Sequence, residues 1–340
     1  MAILALLDGI APATLFVSAS FVSLLILVVY RSYLHPLAAV PGPFVCRITP
    51  LWTYWHSYKG DECTVIDKLH AQYGSVIRIA PNEVCISDGT ALNSIYAEKG
   101  GFLKAPPYAN FDFEGHATIF SAINLAHRAV RSKAVLPMFS MSSIRNGNQA
   151  IEGCVDRFVA RMKDEAAESR RVKKETGTSK PVNVLNITRG LALDAISAYL
   201  FGQSFGGVSE RTDRMSASGY VDAVVAVGKL FFLPNWLFRA IEQIQGRFFP
   251  DKEAQISAET VDTFVDGLIQ GSEKSVTYQA RLSSAGLSKH EIKIQCEDVI
   301  FAGTDSTGMN MSMLCWYLAK HPEVLVAPQV PALRSCERRY

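Results

Sequence analysis

Residues 9–30 carry no charged side chain and are dense in Leu, Val, Ile and Phe. The run is long enough to cross the roughly 30 Å hydrocarbon core of a bilayer, and predicts one transmembrane helix. Residues 37–43 then set two prolines around Gly42 and predict a stiff, non-helical connector. Val76-Ile77-Arg78-Ile79 and Val84-Cys85-Ile86-Ser87 are β-branched runs divided by Ala80-Pro81-Asn82-Glu83, the pattern of a β-hairpin. Residues 105–124 carry aromatics without periodicity and read as a loop. A basic helix is expected at 126–133 and a charged amphipathic helix at 151–167, followed by a solvated polar loop at 170–177. Residues 220–249 are the most apolar globular stretch and predict a helix–loop–helix.

The longest helical pattern starts at Ser288, which forms a capping box with Glu291, and runs without proline to His321-Pro322. It spans roughly 45–50 Å, so its middle is expected to be buried on most sides. Val299, Ile300, Phe301 and Ala302, then Met311, Met313, Leu314, Trp316 and Leu318, suit such burial. Gly303, Thr304, Asp305, Ser306, Thr307, Gly308 and Asn310 do not. Glycines and short alcohols are poor in helix interiors, so the helix is expected to loosen or bulge there.

Composition narrows the classes. With 340 residues, 49% hydrophobic, the chain can bury one large core or two ordinary ones. The net charge of +2 gives no sign of a nucleic-acid partner. Seven scattered cysteines without a CxxC pair indicate neither a disulfide framework nor a zinc site. No GxGxxG, P-loop, HExxH or GxSxG motif is present. Asp8 precedes the apolar run, Arg31 follows it, and no small-x-small cleavage site appears. An anchor is favoured over a cleaved signal, and the basic residues lean the globular part toward the cytoplasm.

Two constellations carry chemistry. Asp305 beside Ser306, in an otherwise apolar helix, suggests proton delivery; the alternative is a kink made by Ser/Thr back-bonding. His127 and Arg131 lie one turn apart and suit paired carboxylates; the alternative is a solvated helix face.

The run Ala302-Gly303-Thr304-Asp305-Ser306-Thr307 resembles the oxygen-binding stretch of the central helix of cytochrome P-450 monooxygenases. The resemblance extends over roughly residues 10–325, including the hairpin around Ile79-Ala80-Pro81-Asn82-Glu83 and the His127/Arg131 helix followed by Leu136-Pro137-Met138-Phe139-Ser140, and is nearest to fungal microsomal members. It implies a mainly α fold with a small β-hairpin subdomain and an N-terminal transmembrane helix. It also implies haem as cofactor, lipophilic small-molecule substrates, often in secondary metabolism, and electrons from an NADPH-cytochrome reductase. Gly303 and Thr304 would form the oxygen groove, Asp305 and Ser306 the proton relay, and His127 and Arg131 would bind the haem propionates. The 105–124 loop would roof the substrate pocket, and the 220–249 segment would lid it against the membrane.

The expected organisation is an N-terminal tip at 1–8, a membrane anchor at 9–30, a proline-rich hinge at 31–43, an incomplete P-450-like domain at 44–325 and a divergent tail at 326–340. In the family a cysteine in a Phe-x-x-Gly-x-x-x-Cys-x-Gly loop ligates the iron. None of the seven cysteines here has that context, so no metal ligand is assigned. The expectation is a single-pass protein of the endoplasmic reticulum, C-terminally truncated and inactive as written. A membrane-anchored, non-catalytic binding or scaffold protein, and an incomplete gene model of an active monooxygenase, stay open as alternatives.

Overall fold

A computed structural model describes residues 12–97, 102–212, 214–270 and 276–326. The expected tip at 1–8 and the tail from residue 327 onward lie outside the described residues. The chain forms two compact units, one of residues up to 110 with 226–241, the other of 111–225 with the residues from 242 onward.

The first unit begins with α1 (Pro12–Val29), exposed over most of residues 14–29, and a π-helical turn at Tyr30–Leu34. Together they are long and apolar enough to cross a membrane. Short helices α2 (Phe44–Ile48), α3 (Leu51–Lys59) and α4 (Glu62–Tyr73) follow, Gly60 ending α3 in the left-handed region. The expected hairpin is present as antiparallel β1 (Val76–Ala80) and β2 (Glu83–Ile86), with Ile77 opposite Cys85 and Arg78 opposite Val84. β1 is the buried strand, and the Thr53 hydroxyl of α3 donates to the Ile79 carbonyl at 2.6 Å.

The proline-rich connector is not a free spacer. The Arg78 N–H donates to the Pro41 carbonyl at 2.7 Å, and His35 Nε2 lies 3.0 Å from Asn82 Oδ1. Gly42 has φ +152°, and a Cβ there would stand 2.4 Å from the Arg78 carbonyl oxygen, so only glycine allows this approach.

The second unit holds α5 (Leu125–Val135), α6 (Met141–Asn146), α7 (Asn148–Thr176) and α8 (Val184–Phe201). It continues with most of α9 (Ser218–Val227) and the end of α10 (Asn235–Phe248), then α11 (Lys252–Gln270), α12 (Tyr278–Ser284), α13 (Lys289–Lys320) and α14 (Pro322–Val326). The loop expected at 170–177 is instead the last two turns of α7, closed by left-handed Gly177. Its Lys, Arg and Glu residues are good helix formers, and Glu168 pairs with Arg171 one turn away. Residues 105–124 are largely irregular, with a 3₁₀ turn at Pro106–Phe111 and a bridge between Phe113 and His116.

α8 is the central helix. It is also apolar enough to span a membrane, but it is mostly buried and serves as core. The fully buried Asp194 carboxylate accepts the backbone N–H groups of Gly206, Gly207 and Val208 at 2.6, 2.8 and 3.2 Å, tying the following loop to the helix. α13 packs along α8, while α11 and α12 cover its N-terminal half with Ile292, Cys296 and Ile300 in the shared core.

Candidate functional site

The capping box forms as expected, since Ser288 Oγ accepts the Glu291 N–H and the Glu291 carboxylate accepts the Ser288 N–H at 3.0 Å. α13 then runs to Lys320 without interruption, and the expected bulge at 303–310 does not occur. The back-bonding does: Ser306 Oγ donates to the Ala302 carbonyl at 2.8 Å, and Asn310 Nδ2 to the Ser306 carbonyl at 2.8 Å. These bonds add to the helical ladder without opening it.

The motif divides between two faces. Thr304 and Gly308 are buried against α8, where Thr188 Oγ1 donates to the Gly308 carbonyl at 2.8 Å. Gly303 faces Ile196 of α8, whose Cδ1 would stand 2.2 Å from an added Cβ. Ala302, Ser306 and Thr307 are exposed, and Ala302 and Ser306 open a stripe continued by Met309, Met313 and Trp316. Met313, Leu314 and Trp316 are 61%, 58% and 61% exposed, against the expectation that they are core. Among the described residues this half of α13 packs chiefly on one helix, α8, so only one face is covered.

Asp305 turns toward α8 and pairs with Arg189, Nη2 to Oδ1 at 2.5 Å. Arg189 Nη1 holds Asp222 of α9 at 2.8 Å, and Arg214 binds Asp222 at 2.5 Å and Glu253 of α11. The five groups form a ladder of alternating charge from the motif to the surface. Burial pushes the Asp222 carboxyl up, but hydrogen bonds from Arg189 and Arg214 outweigh it and hold the group below its ordinary value.

At the start of α5, Asn124 caps the helix by accepting the Ala126 and His127 N–H groups. His127 and Arg131 come together as their spacing predicts. Arg131 is buried, donates to the His127 carbonyl at 2.9 Å and pairs with Glu291 of α13. His127 Nδ1 and Arg131 Nε are buried without a partner among the described residues. Burial first, then the Arg131 charge, lower the His127 pKa, whereas hydrogen bonds from Ser288, reinforced by Arg131, lower that of Glu291.

These donors decide how far a haem fits. Two orphaned nitrogens one turn apart suit the two carboxylates at the edge of such a group. The iron end is different. Cys46, Cys154 and Cys296 are buried, and burial pushes their thiols up, Cys46 to about 11. The described residues therefore fit the carboxylate edge, and none of the seven cysteines has the glycine-flanked sequence context of the ligand loop. The sequence motifs give no site role to Arg189 or Asp222, although a lone arginine in the apolar 184–201 stretch is a usable signal.

Residues 43–327 match the family described as Cytochrome P450. The cytochrome P450 monooxygenase mfmF of Annulohypoxylon moriforme is 32% identical over 325 residues, covering 89% of this chain and 64% of the relative. The cytochrome P450 monooxygenase tazI of Aspergillus terreus is 27% identical, with 88% of this chain and 62% of the relative covered. An averantin hydroxylase of Dothistroma septosporum is 26% identical, over 88% of this chain and 55% of the relative. The chain thus spans less than two thirds of the length of these relatives. A family match over most of the chain, together with a relative 32% identical over 325 residues, has one conclusion: the chain belongs to the cytochrome P450 family.

Proposed function

We propose that these 340 residues carry the distal, oxygen-side part of a haem monooxygenase that oxidises lipophilic small molecules. In this reading α1 anchors the protein in the endoplasmic reticulum membrane, the globular part is cytoplasmic, and an NADPH-cytochrome reductase supplies electrons. One observation carries the proposal: the Ser306 hydroxyl lies on an open stripe of α13, one turn from Ala302, beside an acid held by a buried arginine. The mfmF and tazI relatives, named as monooxygenases, and the averantin hydroxylase support the reaction class.

When bound, haem supplies the redox chemistry of oxygen insertion. His127 Nδ1 and Arg131 Nε would hold its carboxylates, with Glu291 keeping the Arg131 fork oriented. Ala302, not Gly303, takes the groove role, because Ile196 fills the space beside Gly303. Thr304, buried against α8, acts in packing. Ser306 Oγ passes on a proton when it turns from the Ala302 carbonyl; the Asp305 carboxylate, paired with Arg189, has no proton of its own and relays one to Ser306 only after taking it up from solvent and turning away from that arginine. The thiolate ligand is not assigned to any of the seven cysteines.

Haem titration of the purified chain tests the reading. Binding to the unmodified chain that Arg131→Gln weakens is the expected result. No binding to the unmodified chain overturns it. A thiolate-type Soret band in the reduced carbon-monoxide spectrum would overturn the part that withholds the ligand from these cysteines.

A further inference from the structure

Three arginines cluster where α1 leaves the apolar run. Arg78 of β1 is fully buried, yet its guanidinium meets only carbonyl oxygens: Nη1 donates to Arg31 at 3.0 Å and Leu37 at 3.3 Å, and Nη2 to Pro81 at 2.7 Å. Its Nε has no partner among the described residues, and neither does the buried Ser32 hydroxyl in the same turn as Arg31. Arg31 donates to the Ile48 carbonyl at 2.5 Å and Arg47 to the Ser32 carbonyl at 3.5 Å. No carboxylate among the described residues pairs with any of the three. Burial, and then the charges of Arg47 and Arg31, pull the Arg78 pKa down, so the three cations are close enough to repel.

A buried cation without a counter-charge is costly, and natural interiors compensate such groups. Here the compensation stops at carbonyl dipoles, leaving a concentrated positive field. Its position points to the source of the missing anion. Arg31 lies in the turn that ends the apolar span, and Tyr30 and Tyr33 in that turn are 45% and 75% exposed, the placement of aromatic side chains at headgroup level. Arg31 and Arg47 are only partly buried, and each carries N–H groups beyond its one carbonyl bond.

We propose that Arg31, Arg47 and Arg78 form a binding site for the phosphate of an anionic phospholipid, Arg31 and Arg47 contacting the oxygens and Arg78 supplying charge from beneath. The site needs only the membrane reading of α1 and is independent of haem chemistry. Guanidinium forks match phosphate oxygens, and basic residues just past a span are placed to meet acidic headgroups.

The full chain in a neutral detergent is titrated with phosphatidic acid, with phosphatidylcholine and with inorganic phosphate, and the thermal unfolding midpoint is followed. Phosphatidic acid is expected to raise the midpoint where the other two do not. Removing both accessible charges by Arg31→Gln and Arg47→Gln is expected to weaken the apparent affinity about 25-fold, roughly fivefold per charge. The Arg31→Lys, Arg47→Lys chain, which keeps the charges, should retain part of the effect. Equal stabilisation by phosphatidylcholine overturns the anionic requirement, and equal stabilisation by inorganic phosphate overturns the membrane source. Should the glutamine variants fail to fold, salt dependence decides on the unmodified chain: affinity that falls steeply with ionic strength supports the site, and a flat response overturns it.

Discussion

Arg189 and Asp305 join α8 to α13 through an ion pair of 2.5 Å, and the same guanidinium holds Asp222 on α9. The arginine side chain is 8% exposed and Asp305 22%, so removing the cation leaves carboxylates facing each other without it. Arg189→Met is expected to destabilise the fold by about 3 kcal/mol, the low end for breaking a buried pair, read as a shift of the urea midpoint. Asp305→Asn, which keeps a hydrogen-bond acceptor, is expected to cost less. Near-neutral results from both would show that the arginine acts through packing alone.

The two motif glycines should respond differently to a methyl group. At Gly303 the clash is with Ile196 Cδ1, the end of a side chain that can turn away. At Gly308 it is with the Arg189 Cα at 2.8 Å and N at 3.0 Å, which cannot. Gly308→Ala is therefore expected to lose about 2 kcal/mol to overpacking, despite alanine's better helix propensity, and Gly303→Ala to be close to neutral. Thermal unfolding of both variants checks the order.

Asp194 accepts three backbone N–H groups from one loop. Asp194→Ala leaves them buried without a partner and is expected to cost at least about 3 kcal/mol. Hydrogen exchange at residues 206–208 should accelerate well beyond that of α8 itself.

Burial pushes the Glu297 carboxyl up to about 8, with a hydrogen bond to Asp262 adding to the rise and Lys293 opposing it. A raised carboxyl holds its proton in the folded chain between its unfolded pKa near 4.3 and about 8, where the unfolded chain has lost it. Folding then binds protons, so the Glu297 contribution declines as pH rises from about 5 to about 8 and levels off above. Glu297→Gln is expected to flatten that decline in a series of urea unfolding curves, and an unchanged slope would place its origin elsewhere.

Much of the fold was legible because its signals are local. The apolar run, the Pro81-Asn82 turn between β-branched strands and the Ser288/Glu291 box each specify an element without help from distant residues. The failures share a different cause. Helix α7 runs past its expected end because its charged residues, which suit a loop by polarity, favour helix by propensity. The buried face of α13 differs from expectation because composition says that Met313 and Trp316 are apolar, not which neighbour covers them. At the site, the spacing of His127 and Arg131 predicted their proximity. The Glu291 and Arg189 partners come from elements 160 and 116 residues away from theirs, and no periodicity reports a pair at that separation.

The pinned connector also alters what the hairpin offers to other chains. A two-stranded sheet has two free edges, each a template for pairing with a second molecule. On the β1 edge the Arg78 N–H is already given to Pro41, and Gly42 lies against the Arg78 carbonyl. The segment doing this is bounded by Pro41 and Pro43, neither of which has an N–H to extend the ladder outward. The connector thus ends the sheet on that side, and the stretch that follows the apolar helix also keeps the buried strand from recruiting a neighbour.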